Sequence, residues 1–225
     1  IRLCLVGSEM CIRDRNSTGY KNLMKLVTAG YLEGFYYRPR IDKELLREYN
    51  EGLICLSGCL KGEVPEKMLN GDYEGARNAA IEYSEIFEDR YFLEIQNHGI
   101  PEEEANIQNM KKLSSDLGLP LVCTNDAHYC KQSHSEAHDI HICLGTGKER
   151  SDPNRLRYAT PEFYFKTQDE MHHLFKEFPQ AIENTRHIAD SIDLSLPMGE
   201  SHLPNFPIPD SAKTDDPDEY LRSLT

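Results

Sequence analysis

The sequence lacks any apolar run long enough to cross a lipid bilayer, and it carries little positive charge for its size. It has 25 Lys and Arg residues against 38 Asp and Glu residues, so its formal net charge is −13 at pH 7. A transmembrane helix needs about 20 consecutive apolar residues, and binding to nucleic acid needs a local excess of basic residues. The sequence therefore predicts no membrane partner and a surface that as a whole repels nucleic acid. If the protein serves DNA, other parts of a larger assembly must hold most of it.

The sequence motifs of the common nucleotide-binding and hydrolytic enzymes are absent as well. There is no phosphate-binding loop, no GxGxxG, no GxSxG, no HExxH and no paired-aspartate pattern of a polymerase palm. The segment GTGKER at residues 145–150 lacks the first glycine of a phosphate-binding loop and the Ser or Thr that should follow Lys148. Any chemistry in this chain must therefore come from residues outside these motifs.

The seven cysteines form no CxxC pair, and their number is odd. A disulfide framework and a zinc ribbon are both disfavoured by these two facts, and a reducing cytoplasm is the expected location. Cys55, Cys123 and Cys143 lie inside apolar runs, which predicts core packing for them. Cys130 has no clear interpretation from the sequence.

Residues 1–15, IRLCLVGSEMCIRDR, do not continue into the pattern that follows. Their apolar part is too short for a secretory signal and is followed at once by charged residues. The stretch CLVGSEMCIRD resembles the conceptual translation of a transposon-type sequencing adapter. We therefore expect residues 1–15 to be an adapter artefact and the natural N-terminus to be missing, and the fold prediction begins at residue 16.

Short apolar runs alternate with amphipathic segments along residues 18–192. The apolar runs predict buried strands at residues 53–58, 90–99 and 120–126. The other segments predict helices at 18–34, 42–50, 62–71, 72–90, 101–118, 133–147 (capped by Ser133), 168–178 and 179–192. Apolar strands that alternate with helices indicate an α/β fold with a parallel sheet, either a barrel or an open doubly wound sheet.

Residues with metal-binding side chains lie at or just after the carboxyl ends of all three predicted strands, where chemistry gathers in parallel sheets. Asp126 and His128 offer an oxygen and a nitrogen that suit Zn²⁺, Mn²⁺ or Fe²⁺, but an Asx turn beside an incidental histidine is the alternative. Cys59, between two glycines, is a candidate ligand or a small buried side chain. His98 is a candidate ligand or a hydrogen-bonded turn residue. These strand ends predict a metal site.

A second group of histidines lies on the predicted helix at 133–147. His134, His138 and His141 have helical spacing, so one helix face could present all three beside Asp139, although a solvated face is the alternative. His172 and His173 point to different faces of their helix and are expected at the surface.

Four segments resemble, in this order, the PHP domain of bacterial replicative DNA polymerase III alpha subunits: YNEGLICLSGCLKGEVP, DRYFLEIQNHG, GLPLVCTNDAHY and DPNRLRYATPEFYFKTQDEM. The segments NSTGYKNLMKLVTAGYLEGFYYRPRIDKELL and EAHDIHICLGTGK match the same family. The resemblance implies a partial PHP-type distorted (β/α) barrel that lacks its first strands. It assigns residues 16–203 to the C-terminal part of the PHP domain, and residues 204–225 to a linker and the start of a polymerase palm region.

The resemblance also implies a ligand set, in which Cys59, Asp126 and His128 match the last three metal-binding positions. The earlier ligands, which begin with an HxH, would lie upstream, so this chain is expected to bind metal poorly and to hold no catalytic residue of its own. The implied cofactors are Zn²⁺, Mn²⁺ or Fe²⁺ in the PHP site and Mg²⁺ in a palm outside this chain. His98 and His138 match positions near the site that we do not expect to be ligands.

The implied parent is a cytoplasmic DNA-directed DNA polymerase, a nucleotidyltransferase of DNA replication. Its partners would be primer–template DNA and dNTPs, through domains absent here, and replicase subunits, namely a proofreading exonuclease and a sliding clamp. The intact PHP domain would support 3′–5′ exonuclease or phosphoesterase activity. Two alternatives stay open: a stand-alone PHP phosphoesterase similar to histidinol phosphatase, and a non-catalytic scaffold barrel.

Overall fold

A computed structural model describes residues 3–5, 10–196, 198–199, 206–212 and 214–225. The chain divides into two compact units, Ile1–Leu194 and Ser195–Thr225. The predicted domain boundary between residues 203 and 204 lies outside the described residues, and the domain limits stay predictions. None of the helices in the described part of the chain is long and apolar enough to span a membrane.

The described residues of the first unit form one sheet of five strands in the order β1-β2-β3-β4-β5. The strands are β1 Leu3–Leu5, β2 Met10–Asp14, β3 Leu53–Leu56, β4 Tyr91–Ile95 and β5 Leu121–Cys123. The three predicted strands, β3, β4 and β5, are parallel to one another, while β1 and β2 run antiparallel to their neighbours. The predicted α/β class is confirmed, and the described strands form an open sheet compatible with part of a barrel.

Helices connect the parallel strands and flank the sheet. In the first unit they are α1 Ser17–Leu32, α2 Lys43–Glu48, α3 Glu63–Leu69, α4 Tyr73–Phe87, α5 Pro101–Leu117, α6 Ser135–Thr146, α7 Gln168–Leu174 and α8 Pro179–Asp190. Local signals set several ends: the Asp42 side chain accepts the amide of Leu45 at the start of α2, and Gly118 ends α5 in a left-handed conformation with φ 68°. The predicted ends of α5, Pro101 and Gly118, are confirmed.

One predicted helix start is wrong. Ser133 was expected to cap the helix at 133–147, but α6 begins at Ser135 and its N-cap is His134, without a side-chain hydrogen bond. The physical reason is a short 3-10 turn, Gln132–His134, through which the chain enters the helix. Because this turn already has helix-like backbone angles, the N-cap moves one residue along the chain, from Ser133 to His134.

The core lies on both faces of the sheet, as expected for parallel strands. Alternate side chains of β4 point to opposite faces: Tyr91, Leu93 and Ile95 join the large cluster formed with the helices. Phe92 joins a smaller cluster on the other face: Ile54, Leu56, Val122 and Ile188. Every residue of β4 is buried, and this strand therefore fixes the centre of the fold.

The segment set aside as an adapter artefact contributes two strands. Within it, Met10–Asp14 pairs with β3, and the side chain of Ile12 is only 1% exposed. Ladder hydrogen bonds join main-chain groups, so a segment of unrelated origin can pair with an open strand edge. The adapter interpretation of residues 1–15 stays a prediction.

The second unit contains one helix in its described part, α9 Pro217–Leu224. The Asp216 side chain caps this helix by accepting the amides of Asp218 and Glu219. The rings of Phe206 and Tyr220 stack with centroids 6.0 Å apart.

Candidate metal centre

The carboxyl ends of β3, β4 and β5 lead into the turns that carry the predicted site residues. Cys59 follows β3 by three residues, His98 follows β4 by three, and Asp126 follows β5 by three. Because the three strands are parallel, these turns leave the sheet at the same edge. The sequence-based placement of the site at this edge is therefore consistent with the fold.

The Asp126–His128 loop presents its imidazole in a defined tautomer. His128 Nδ1 lies 2.9 Å from the main-chain oxygen of Asp126, which can only accept a hydrogen bond. The proton is therefore assigned to Nδ1, and Nε2 keeps the lone pair that a metal ion requires. The two side chains are 29% and 27% exposed, with His128 Nδ1 4.0 Å from Asp126 Oδ2. This oxygen and nitrogen pair suits a divalent cation of the zinc type.

The segment 163–165 holds the Asp126–His128 loop in place through hydrogen bonds. The amide of His128 donates to the carbonyl of Phe163 at 2.8 Å, and the amide of Phe165 donates to the carbonyl of Tyr129 at 2.9 Å. The Asn125 amide group donates to the carbonyl of Tyr164 at 3.0 Å. The two backbone bonds belong to a short parallel bridge between Tyr129 and Tyr164. Together with the bond from Asn125, they fix the backbone on either side of His128.

His98 is a buried, hydrogen-bonded residue, which favours the second of its two interpretations. Its side chain is 1% exposed, and its Nδ1 lies 2.8 Å from Oε1 of Glu103. Its own amide donates to Glu103 Oε2 at 2.6 Å, and its Nε2 accepts the amide of Asp126 at 3.3 Å. Both ring nitrogens thus have partners within the protein, and His98 contacts a predicted ligand rather than acting as one.

Cys59 lies in a tight turn that two glycines permit. Gly58 has φ 86°, and a side chain at Gly62 would meet the carbonyl of Ser57 at 2.1 Å. The thiol is half-buried, and the Cys59 carbonyl accepts the amide of Gly62 at 2.8 Å. Among the described residues no group of three or more His, Cys, Asp or Glu side chains could hold a metal ion. The donor types fit a divalent cation but do not complete a site, and the three-ligand assignment stays a prediction.

A buried polar layer that sequence reasoning missed lies beneath these turns. Glu94 is 3% exposed, and its Oε1 accepts bonds from the hydroxyl of Thr124 and from Gln96 Nε2. Its amide donates to Ser57 Oγ at 2.8 Å, while its Oε2 has no hydrogen-bond partner in the described part. Glu94 therefore joins the ends of all three parallel strands. The signal was available, because an acid inside the apolar run YFLEI must be paired to be buried.

The three histidines of the predicted helix at 133–147 differ in their exposure and contacts. His138 packs against the rings of His128 and Tyr158, with centroids 5.7 Å and 5.3 Å away, whereas His134 and His141 are exposed. Burial, followed by the nearby charges of His128 and His141, lowers the pKa of His138. Of these three histidines, His138 is the one that packs against the candidate site, and the shared histidine face stays a prediction.

An open cleft of about 530 Å³ adjoins this cluster. Its lining includes His138, Tyr158, Arg157 and Glu136, so it offers aromatic, basic and acidic groups together. Burial and the charge of Asp126 raise the pKa of Tyr158. The cleft therefore gives a partner molecule access to the side chains beside the Asp126–His128 loop.

Comparison with known proteins shows what this chain is similar to. Residues 7–98 match the PHP domain. The chain is 44% identical over 218 residues to the DNA polymerase III subunit alpha of Borreliella burgdorferi, covering 96% of this chain and 19% of that protein. It is 44% identical over 217 residues to the Treponema pallidum subunit and 41% identical over 223 residues to that of Thermus aquaticus, covering 96% of this chain and 18% of the relative in both cases.

The chain thus spans less than a fifth of the length of these relatives. The match to the family begins inside the segment predicted to be an adapter artefact and extends through β3 and β4. The similarity to the polymerase subunits runs along nearly the whole chain, including the loops after β3, β4 and β5. The chain is therefore similar to a PHP domain over residues 7–98 and, along nearly its whole length, to one segment of bacterial DNA polymerase III alpha subunits.

Proposed function

We propose that this chain is part of a DNA polymerase III alpha subunit that extends primers in DNA replication. The observation that carries the proposal is the 44% identity over 218 residues to a protein of that name. Nucleotidyl transfer from dNTPs to a primer would take place in a palm outside this chain, with Mg²⁺ as the cation. Binding of DNA would also depend on other parts of the parent, because this chain has a net charge of −13.

The PHP domain in this proposal is a metal-binding domain that supports phosphoester hydrolysis. Asp126, His128 and Cys59 would supply a carboxylate oxygen, an imidazole Nε2 and a thiolate to Zn²⁺, Mn²⁺ or Fe²⁺. Such a cation, when bound, lowers the pKa of a coordinated water enough to make it a nucleophile near neutral pH. The tautomer of His128 and the fixed backbone around it support this role. The remaining ligands would come from upstream sequence.

The hydrolytic activity would be 3′–5′ exonuclease or another phosphoesterase activity, and the parent would work with a proofreading exonuclease and a sliding clamp. The test uses the complete subunit, recovered from a clean sequencing read, as wild type and as Asp126→Asn. Asp89→Asn is the matched control, because Asp89 has a side chain that is 89% exposed. We expect primer extension in all three proteins, and loss of PHP-dependent nuclease activity only in Asp126→Asn.

Two outcomes would overturn parts of this proposal. A complete gene that ends near residue 225, with no primer extension, would contradict the polymerase assignment and favour a stand-alone phosphoesterase. Nuclease activity that is unaffected by Asp126→Asn, in a protein without bound metal, would contradict the catalytic role and favour a scaffold barrel.

Residues 1–15 would be replaced in the clean read by natural sequence. We infer this from the resemblance of CLVGSEMCIRD to a translated adapter. Genomic DNA in which the codons for residues 1–15 run directly into those for residues 16–225 would contradict the inference.

A further inference from the structure

We propose that His98 and Glu103 form a buried positioning pair that fixes the Asp126 loop for metal binding. The proposal rests on the proposed metal-binding function and adds two residues to it that would not touch the metal ion. His98 and Glu103 are 1% and 4% exposed, and their side chains form one hydrogen-bonded unit at the carboxyl end of β4. A buried acid and imidazole are costly to desolvate unless they are fully paired, so their position at this edge calls for a specific explanation.

The direction of each hydrogen bond follows from the chemistry of the groups. The main-chain amide of Asp126 can only donate, so His98 Nε2 must accept and carries no proton. The proton therefore lies on Nδ1 and is donated to Oε1 of Glu103. The other carboxylate oxygen accepts the amide of His98 itself. One carboxylate thus holds both the backbone and the ring of His98, and the ring has a single allowed orientation.

Contacts on the face and at the backbone of His98 restrict it further. The ring of Phe163 lies parallel to the imidazole, with centroids 4.4 Å apart. The Thr160 hydroxyl donates to the carbonyl of His98 at 2.5 Å. Phe163 also accepts the amide of His128. The same unit therefore contacts the loop at both predicted ligands, at the amide of Asp126 and at the amide of His128.

The hydrogen bonds of Glu103 and His98 connect the carboxyl end of β4 to the loop after β5. Glu103 lies in the first turn of α5, and α5 packs on the sheet through the fully buried Leu113. The link runs from α5 through Glu103 and His98 to the Asp126 amide, and so from the end of β4 to the loop after β5. Hydrogen-bonded partners behind metal ligands set ligand orientation, and their loss lowers metal affinity by about 10–100-fold.

The first measurement is metal affinity of the complete subunit, determined by chelator competition with Co²⁺ and by the Co²⁺ absorption spectrum. Glu103→Gln keeps the size of the side chain but places an NH₂ group opposite the His98 amide or ring N–H. We expect it to weaken Co²⁺ binding about tenfold or more and to change the spectrum. Leu113→Ala is the control, because it destabilises the same helix without contacting His98, and we expect its affinity to stay within about twofold of wild type.

The second measurement is amide hydrogen exchange of the peptide that contains Asp126, followed by mass spectrometry in metal-free protein. In Glu103→Gln, the amides of this peptide should exchange about tenfold faster than in wild type. In Leu113→Ala the exchange rate should rise less, when the two variants are compared at the same loss of unfolding free energy. Equal effects of the two variants on affinity and on exchange would overturn the positioning role. Wild-type protein that binds no Co²⁺ through Asp126 would instead overturn the proposed metal function, and exchange alone would then decide whether the pair orders the loop.

Discussion

The imidazole of His98 lies flat against the phenyl ring of Phe163, with centroids 4.4 Å apart and planes within 4° of parallel. The carbonyl of Phe163 accepts the amides of His128 and Tyr129 at 2.8 Å and 3.3 Å. Phe163 therefore fills the space beside a buried histidine and also anchors the neighbouring loop. Its removal should affect both the stability of the fold and the order of that loop.

Phe163→Ala should lower the free energy of unfolding by about 3–5 kcal/mol, because the ring is 6% exposed and the cavity would not fill completely. Phe163→Leu should cost less, since it retains most of the volume. The measurement is urea unfolding followed by circular dichroism. Phe165→Ala is the control: that side chain is 73% exposed, and its loss should change stability by less than about 0.5 kcal/mol. Similar losses for Phe163→Ala and Phe165→Ala would contradict the packing described.

Cys123 should be inert to alkylation at pH 8. Burial raises the pKa of its thiol to about 11, and the thiol contacts the carbonyl of Ala181 at 3.5 Å. Cys130 is exposed, so iodoacetamide should modify it much faster in the native protein. Mass spectrometry of peptides after timed labelling measures both rates, with unfolded protein as the reference in which both react. Comparable native rates for the two thiols would contradict the burial of Cys123.

Gly19→Ala should be strongly destabilising because α1 lies close to the turn before β3. A methyl group at Gly19 would lie 1.9 Å from the carbonyl oxygen of Gly52. Because both groups belong to the backbone, α1 would have to shift to remove this clash. The expected loss is about 2 kcal/mol or more in thermal or urea unfolding. Gly145→Ala is the matched control, since nothing lies near that position in α6, and it should gain about 0.5–1 kcal/mol. A neutral Gly19→Ala would contradict the close approach.

Glu82→Gln should weaken the protein near neutral pH and have little effect in acid. Hydrogen bonds from Lys43, and then from Arg47, lower the pKa of Glu82 against the opposing effect of burial. A carboxyl with a lowered native pKa stabilises the fold above its unfolded pKa, and this contribution disappears as the pH falls through the native pKa. The side chain is 36% exposed, so the effect should not exceed about 1 kcal/mol at pH 7.

Unfolding of wild type and Glu82→Gln in urea at pH 7 and pH 3 measures this difference. Glu85→Gln, on the exposed side of α4, is the control and should show no comparable dependence on pH. A loss in Glu82→Gln that is as large at pH 3 as at pH 7 would contradict the ion pair.

Local features of the sequence predicted much of the fold because they act within a few residues. Pro101 and Gly118 mark the ends of α5, and Asp42 marks the start of α2. The start of α6 was missed because a 3-10 turn there has no distinct sequence signal. The antiparallel pairing of β2 with β3 was also outside the prediction, because residues 1–15 had been set aside.

The sequence predicted the candidate site only in part, because the residues that hold its loops contact them only in the folded structure. The strand-end rule located Cys59, Asp126 and His128. It could not show that Glu103 holds His98. Acidic residues are common in the first turn of a helix, and Glu103 differs from Glu102 and Glu104 only in being buried. Phe163 is distant in sequence from the loop that it anchors, so no local pattern connects them.

The most direct test of the central claim is an anomalous diffraction map of the complete subunit, collected at the absorption edge of its bound metal. We expect a peak at about 2.0–2.2 Å from Nε2 of His128 or from a carboxylate oxygen of Asp126, and no such peak in Asp126→Asn crystals. A metal peak elsewhere in the protein, with Asp126 and His128 hydrogen-bonded only to protein and water, would contradict it.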